Sequence, residues 1–255
     1  MIDQVEIPEF HPYAELFLVT YLSQGLRVKG YLAIPAGEGP FPLLVYCRGG
    51  IRNVGMTRLA WVSRFVSEGY IVFAPFYRGN RGGEGREDFG GEDRHDVLDA
   101  LSWLSELSQV NKSEIHLFGF SRGAIMALFA AMEFPFVKSV IVWGGVSDLA
   151  LTYEERIDLR RMLKRVVGDS PQKVPEAYAW RSPIYRVDEL SCPVLLVHGT
   201  KDEQVGIEHS LRLAAALKDN GKTYTCLFYE GWGHFFSAAV WEEAFSRMFQ
   251  WCRGQ

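Results

Sequence analysis

The stretch LFGFSRGAI, residues 117–125, decides how the rest of this chain is read. Ser121 stands between Gly119 and Gly123, at the end of one apolar run and the start of another. The pentapeptide Gly-x-Ser-x-Gly alone is a weak signal. Its setting is stronger. IHLFGF (115–120) reads as a strand running straight into the motif, and AIMALFAAM (124–132) leaves it as a helix of small and apolar residues. A strand that turns directly into a helix holds its apex residue on a strained backbone, with the side chain exposed at the carboxyl edge of the sheet. Side chains at the two glycine positions would collide with neighbouring backbone. The helix N-terminus then aims free amides and the positive end of its dipole at the serine oxygen.

Working outward, short apolar runs alternate with helical patterns. Before the motif come a hairpin over YLSQGLRVKGYLAIP (21–35), turning near Gln24 and Gly25, and the runs FPLLVYC (41–47) and YIVFAP (70–75). Leu59, Val62, Phe65 and Val66 recur at helical spacing, and DRHDVLDALSWLSEL (93–107) is amphipathic. After the motif come VKSVIVW (137–143), PVLLVHG (193–199), a helix near 207–219, TCLFY (225–229) and a last helix from about 238. Such alternation predicts an α/β fold: a mostly parallel twisted sheet covered on both faces, with the antiparallel hairpin at one edge. One domain over 1–255 is expected, with a small helical, cap-like insertion at 147–190. Within it, TYEERIDLRRMLKRVVGDSP (152–171) reads as one helix, with Thr152 and Glu155 at capping-box spacing and Gly168 as its stop.

A serine needs a base to act as a nucleophile. On a strand–turn–helix scaffold of this kind the chain order is serine, acid, histidine. Asp202 falls just past the strand PVLLVHG, and His234 falls in the glycine-flanked loop after the last strand. Each residue alone is unremarkable; the three types in the required order, each after the required element, are not. Asp148, after the preceding strand, is the alternative acid. The oxyanion hole is expected from the N–H of Arg122 and an N–H of the loop RGGIRN (48–53), with Gly50 preferred over Gly49 and Ile51.

With these residues in place, the sequence resembles the prolyl-oligopeptidase-like (S9) branch of the α/β-hydrolases, a three-layer fold. It is most similar to the small bacterial hydrolases and esterases of that branch that have no propeller domain. The resembling stretches include FAPFYRGNRGGEGREDFGGEDRHDVLDALSWL, IHLFGFSRGAIMAL, RSPIYRVDELSCPVLLVHGTKDEQVGIEHSLRLAAAL and FYEGWGHFF. The resemblance implies Ser121, Asp202 and His234 as nucleophile, acid and base, and hydrolysis of an ester or amide. Many relatives carry a histidine where this chain has Arg48. The peptidases of the branch add a propeller, for which this chain leaves no room, so a carboxylesterase is expected ahead of a peptidase acting on short peptides. A non-catalytic binding protein on the same scaffold is a further alternative, although no triad member is lost.

Arg48, Arg122, Arg78 and Arg81 should converge near the carboxyl edge of the sheet. Arg48 or Arg122 is the candidate for holding a substrate carboxylate, against the plainer expectation of an ion pair with an acid such as Glu84 or Asp88. Trp143, Tyr153, Trp180 and Trp232 are candidates for lining an apolar substrate pocket beneath the insertion. Glu154 and Glu155 offer an amino-terminus site but read more simply as solvated or capping residues. The chain has 255 residues, 23% charged, and a formal net charge of −4. No basic stripe points to nucleic acid, and no apolar run is long enough to span a membrane. The N-terminus does not read as a secretory signal. Cys47, Cys192, Cys226 and Cys252 lack metal or redox spacing. Reduced thiols in a cytoplasmic protein are expected, with no metal and no cofactor, and a small ester or short peptide as the partner.

Overall fold

The computed structural model describes residues 1–255 apart from the side chain of Glu9. Nine strands form one sheet: β1 (Asp3–His11), β2 (Ala14–Ser23), β3 (Leu26–Pro35), β4 (Phe41–Cys47), β5 (Ile71–Pro75), β6 (Val110–Phe120), β7 (Ser139–Trp143), β8 (Val194–Gly199) and β9 (Tyr224–Tyr229). Their spatial order is β1-β2-β3-β5-β4-β6-β7-β8-β9. The first three strands and the β3–β5 pair are antiparallel; every later pair is parallel. The predicted hairpin is present. Gln24 and Gly25 take φ of 47° and 80°, as a two-residue turn between twisted strands requires. Strand β1 was not anticipated. It adds one more antiparallel strand outside that hairpin.

Helices α1 (Leu59–Ser67), α2 (His95–Leu104) and α3 (Gly123–Glu133) follow β4, β5 and β6. The 147–190 segment contributes α4 (Leu149–Glu155), α5 (Arg160–Val167) and α6 (Pro175–Ala179), and the chain ends with α7 (Glu208–Asp219) and α8 (Ala238–Arg253). The pleat sorts the strand residues between two layers of helix. Leu43, Val45, Leu117, Val194 and Leu196 pack with α2, α3 and α7. Leu44, Tyr46, Phe118, Leu195 and Val197 pack with α1 and α8. With β4, β6, β7 and β8 buried on both faces, their near-continuous apolar runs are explained.

The single helix expected over 152–171 is two. Asp148 caps α4 by accepting from the N–H groups of Ala150 (2.9 Å) and Leu151 (3.4 Å), so the helix begins three residues before Thr152. Arg156 leaves helical conformation at φ −109°, ψ 81°. Thr152 and Glu155 do not form a capping box. Thr152 Oγ1 donates to Asp148 O, and Glu155 accepts from the N–H of Gly206 at 3.1 Å. Gly168 does stop α5, at φ 123°.

Candidate active site

Strand β6 delivers Ser121 to the carboxyl edge of the sheet, and the chain reverses into α3 at once. Ser121 sits at φ 55°, a left-handed conformation that costs a non-glycine residue of order 1–3 kcal/mol. Both flanking glycines are sterically required. A Cβ at Gly119 would fall 2.6 Å from Ala124 Cα, and one at Gly123 would fall 2.0 Å from Cys47 O. The Ser121 N–H donates to Trp143 O at 2.9 Å, which ties the turn to β7.

The loops after β8 and β9 supply the acid and the imidazole. His234 Nδ1 lies 2.6 Å from Asp202 Oδ2, and both side chains are buried. A carboxylate only accepts, so Nδ1 carries the proton and the Nε2 lone pair is left for other work. Asp202 Oδ1 accepts from the N–H groups of Gln204 (2.8 Å) and Val205 (2.9 Å). The buried His198 ring lies 3.4 Å from Oδ2, held in place by Val205 O and Ser210 Oγ. Burial opposes ionisation of Asp202, but its bonds to His198, His234 and Val205 outweigh it and hold the carboxyl well below the usual carboxylate range.

Ser121 and His234 line one cavity of about 370 Å³, without a hydrogen bond between them. Gly49, Gly50, Ile51 and Arg122 line it as well. The N–H groups of Arg122 and Gly50 have no acceptor among the described residues, and those of Gly49 and Ile51 are equally open. Phe89, Val146, Leu159 and Met162 add an apolar wall, the last two from the 147–190 segment.

The expected substrate-binding side chains are elsewhere. Arg48 is fully buried, and its guanidinium bonds Glu87 (2.7 Å), Phe76 O and Gly49 O while stacking on Tyr77. Its partner is therefore Glu87, not Glu84 or Asp88. Glu84 pairs with Arg27 and Asp88 with Arg181. The Arg122 side chain is spent on the same Glu87 (2.8 Å) and on Asp93 (3.4 Å), although its backbone faces the cavity. Arg78 pairs with Asp96, and Arg81 bonds the Tyr31 hydroxyl.

Trp143 points to the opposite layer and stacks on Trp241 in the core, because Val142 takes the other side of the pleat. Tyr153 is buried edge-on against Tyr178. The Trp180 ring lies against the guanidinium groups of Arg94 (4.1 Å) and Arg181 (4.9 Å). None of these three, nor Trp232 or Arg48, lines the cavity; Trp232 packs against Phe236 instead. Asp148, the alternative acid, is spent as the α4 cap and on the Tyr185 hydroxyl. Glu155 faces the N–H of Gly206 and, at 3.5 Å, His209. Among the described residues no group of His, Cys, Asp and Glu is arranged to hold a metal, and no helix is long and apolar enough to cross a membrane.

Residues not singled out in the sequence complete the cavity. Phe120 and Phe235 lie 4.8 and 5.1 Å from the His234 ring. Arg156 lines the cavity while bound to Asp158 and to Gln204 O. Arg58, from the loop before α1, lines it too. Phe120 and Phe235 adjoin the serine and the histidine in sequence; nothing local marks Arg58.

Known proteins agree with this architecture. The family model described as the prolyl oligopeptidase family matches residues 57–255. The chain is 46% identical over 256 residues to the uncharacterized peptidase YtmA of Bacillus subtilis (strain 168), covering 100% of each chain. It superimposes on the acylaminoacyl peptidase of Pyrococcus horikoshii with a TM-score of 0.75 and 25% identity, covering 87% of this chain but only 38% of that one. It shares its fold, at a TM-score of 0.78 and 17% identity, with the acetyl xylan esterase from Paenibacillus sp. R4, covering 97% of this chain and 87% of that one. The protein is thus a serine hydrolase with the α/β-hydrolase fold. Within that class, the chain belongs to the prolyl oligopeptidase family.

Proposed function

We propose that this protein hydrolyses small acyl substrates through an acyl-enzyme on Ser121. His234 Nε2 takes the serine proton as Oγ attacks the carbonyl carbon, and returns it to the leaving group. Asp202 fixes the tautomer and stabilises the imidazolium that forms. The N–H groups of Arg122 and Gly50 receive the developing oxyanion. Water then repeats the sequence and releases the acid. The observation that carries this reading is one cavity lined by a serine at φ 55° and by a histidine 2.6 Å from a buried carboxylate. Labelling with a fluorophosphonate probe is its test. Wild type is labelled and Ser121→Ala is not; equal labelling of both rejects the assignment.

Ester cleavage is the preferred reaction. A cavity of about 370 Å³ suits a small acyl group, and an ester's leaving group asks little of the imidazole. Peptidase action on short peptides is the second reading, favoured by the name of the relative that is 46% identical. Comparing kcat/KM for short p-nitrophenyl esters and aminoacyl anilides separates them; faster anilide cleavage selects the second.

A further inference from the structure

Three arginines line the cavity, and two of them have committed their side chains. Arg122 is bound to Glu87 and Asp93. Arg156 makes a two-pronged contact with Asp158, at 2.9 and 2.7 Å, and a bond to Gln204 O. Arg58 differs. Among the described residues, no carboxylate lies within 4.0 Å of it and its guanidinium has no hydrogen-bond acceptor. The group is nevertheless placed. It stacks over the rings of Phe235, at 4.6 Å, and Trp61, at 5.0 Å. Its backbone is fixed at the start of α1, where Arg58 O accepts from the N–H groups of Trp61 and Val62. The two rings hold the cation without offering it a lone pair, so its five N–H donors remain for an anion. No aspartate or glutamate lines the cavity to compete for them.

The position of Arg58 says which half of a substrate it meets. Phe235 follows His234 directly, their rings are 5.1 Å apart, and Phe120 joins His234 (4.8 Å) to Trp61 (5.0 Å). Arg58 is therefore on the imidazole's side of the serine. The leaving group departs on that side, because it takes its proton from the imidazole. The apolar wall of Phe89, Val146, Leu159 and Met162 offers nothing to a charge and suits an acyl chain.

From this geometry we infer that Arg58 determines specificity: it binds a carboxylate carried by the leaving group. The substrates are acyl esters of hydroxy acids or acyl amides of amino acids, R–CO–X–R′–COO⁻ with X as O or NH. This deepens the proposed function and rests on it. The Ser121 Oγ–carbon bond forms and the carbon–X bond breaks; the serine proton passes through His234 to X. Water then cleaves the acyl-serine, so that one water is consumed and R–COOH and HX–R′–COO⁻ are released. A free amino terminus, by contrast, finds no counter-ion in this cavity.

The test uses matched pairs that differ only in charge: 2-butyryloxypropanoate against its primary amide, and N-acetyl-Ala-Ala against N-acetyl-Ala-Ala-amide. For at least one pair, wild type is expected to prefer the acid in kcat/KM by about tenfold or more, the worth of one charge-assisted hydrogen bond. The preference should collapse in Arg58→Ala, be partly restored in Arg58→Lys, persist in Arg156→Ala, and weaken as salt is raised. p-Nitrophenyl butyrate, which has no carboxylate, is the control for hydrolase competence. Turnover of that ester with the same acid-to-amide ratio in wild type and Arg58→Ala overturns the role of Arg58 and leaves the hydrolase reading standing. No turnover of any of these compounds overturns both.

Discussion

Arg48 and Arg58 open and close one loop, between β4 and α1, and end in opposite circumstances. Arg48 has no exposed surface and is locked to Glu87, to two carbonyls and to the Tyr77 ring. Arg58 is exposed, lies against two aromatic rings and, among the described residues, has no acid beside it. Both are cations near the carboxyl edge of the sheet, and of the two the sequence reading singled out only Arg48, the one that is not free. Desolvation separates them. A buried guanidinium costs several kcal/mol unless a partner compensates, so Arg48 must be paired and has nothing left to offer. A solvated one can keep its donors free and give them to a ligand.

This contrast can be broken most forcefully at Glu87, which serves Arg48 and Arg122 together. Glu87→Ala leaves buried Arg48 with no carboxylate and Arg122 with Asp93 alone, and should cost about 3–5 kcal/mol of stability, measured by urea or guanidinium unfolding. A loss under about 1 kcal/mol would mean that the buried cluster tolerates unpaired charge. A subtler probe is pH. Burial pushes Asp93 up to about 7, against the pull of Arg122 and with help from Asp88 and Asp96. A carboxyl raised in the folded state stabilises the fold while protonated, and that contribution fades as pH rises through about 7. Wild type should therefore lose more stability between pH 5 and pH 8 than Asp93→Asn; parallel curves would remove Asp93 as the cause. The smallest effect belongs to the other end of the loop. Arg58→Ala should alter unfolding stability by no more than about 0.5 kcal/mol, as expected of an exposed side chain that pairs with no acid among the described residues. A large loss would show that stacking on Trp61 and Phe235 is structural.

The sheet was legible because its central strands are buried on both faces and read as unbroken apolar runs. Ser121, Asp202 and His234 were legible as candidates because each falls just past one of those strands. Strand β1 was not, since a half-exposed outer strand such as DQVEIPEFH mixes polar and apolar residues and carries no such run. The extent of α4 was missed for a different reason. Thr152 and Glu155 have the local spacing of a cap, but Asp148 caps the helix first and Glu155 faces Gly206, 51 residues away. Arg48 failed in the same way. Its partner lies 39 residues on, in an irregular loop with no periodicity to mark which acid turns inward. Contacts set by topology are hidden from a reading that works by neighbourhood.

Two of those distant contacts act as fasteners. Glu155 holds the N–H of Gly206, and Arg156 holds the carbonyl of Gln204, so the end of α4 is pinned to the stretch that begins at Asp202. The end of α4 and the loop of Asp202 are in mechanical terms one part. A substitution at the end of α4 that loosens either pin therefore acts on the loop that carries the carboxylate opposite His234.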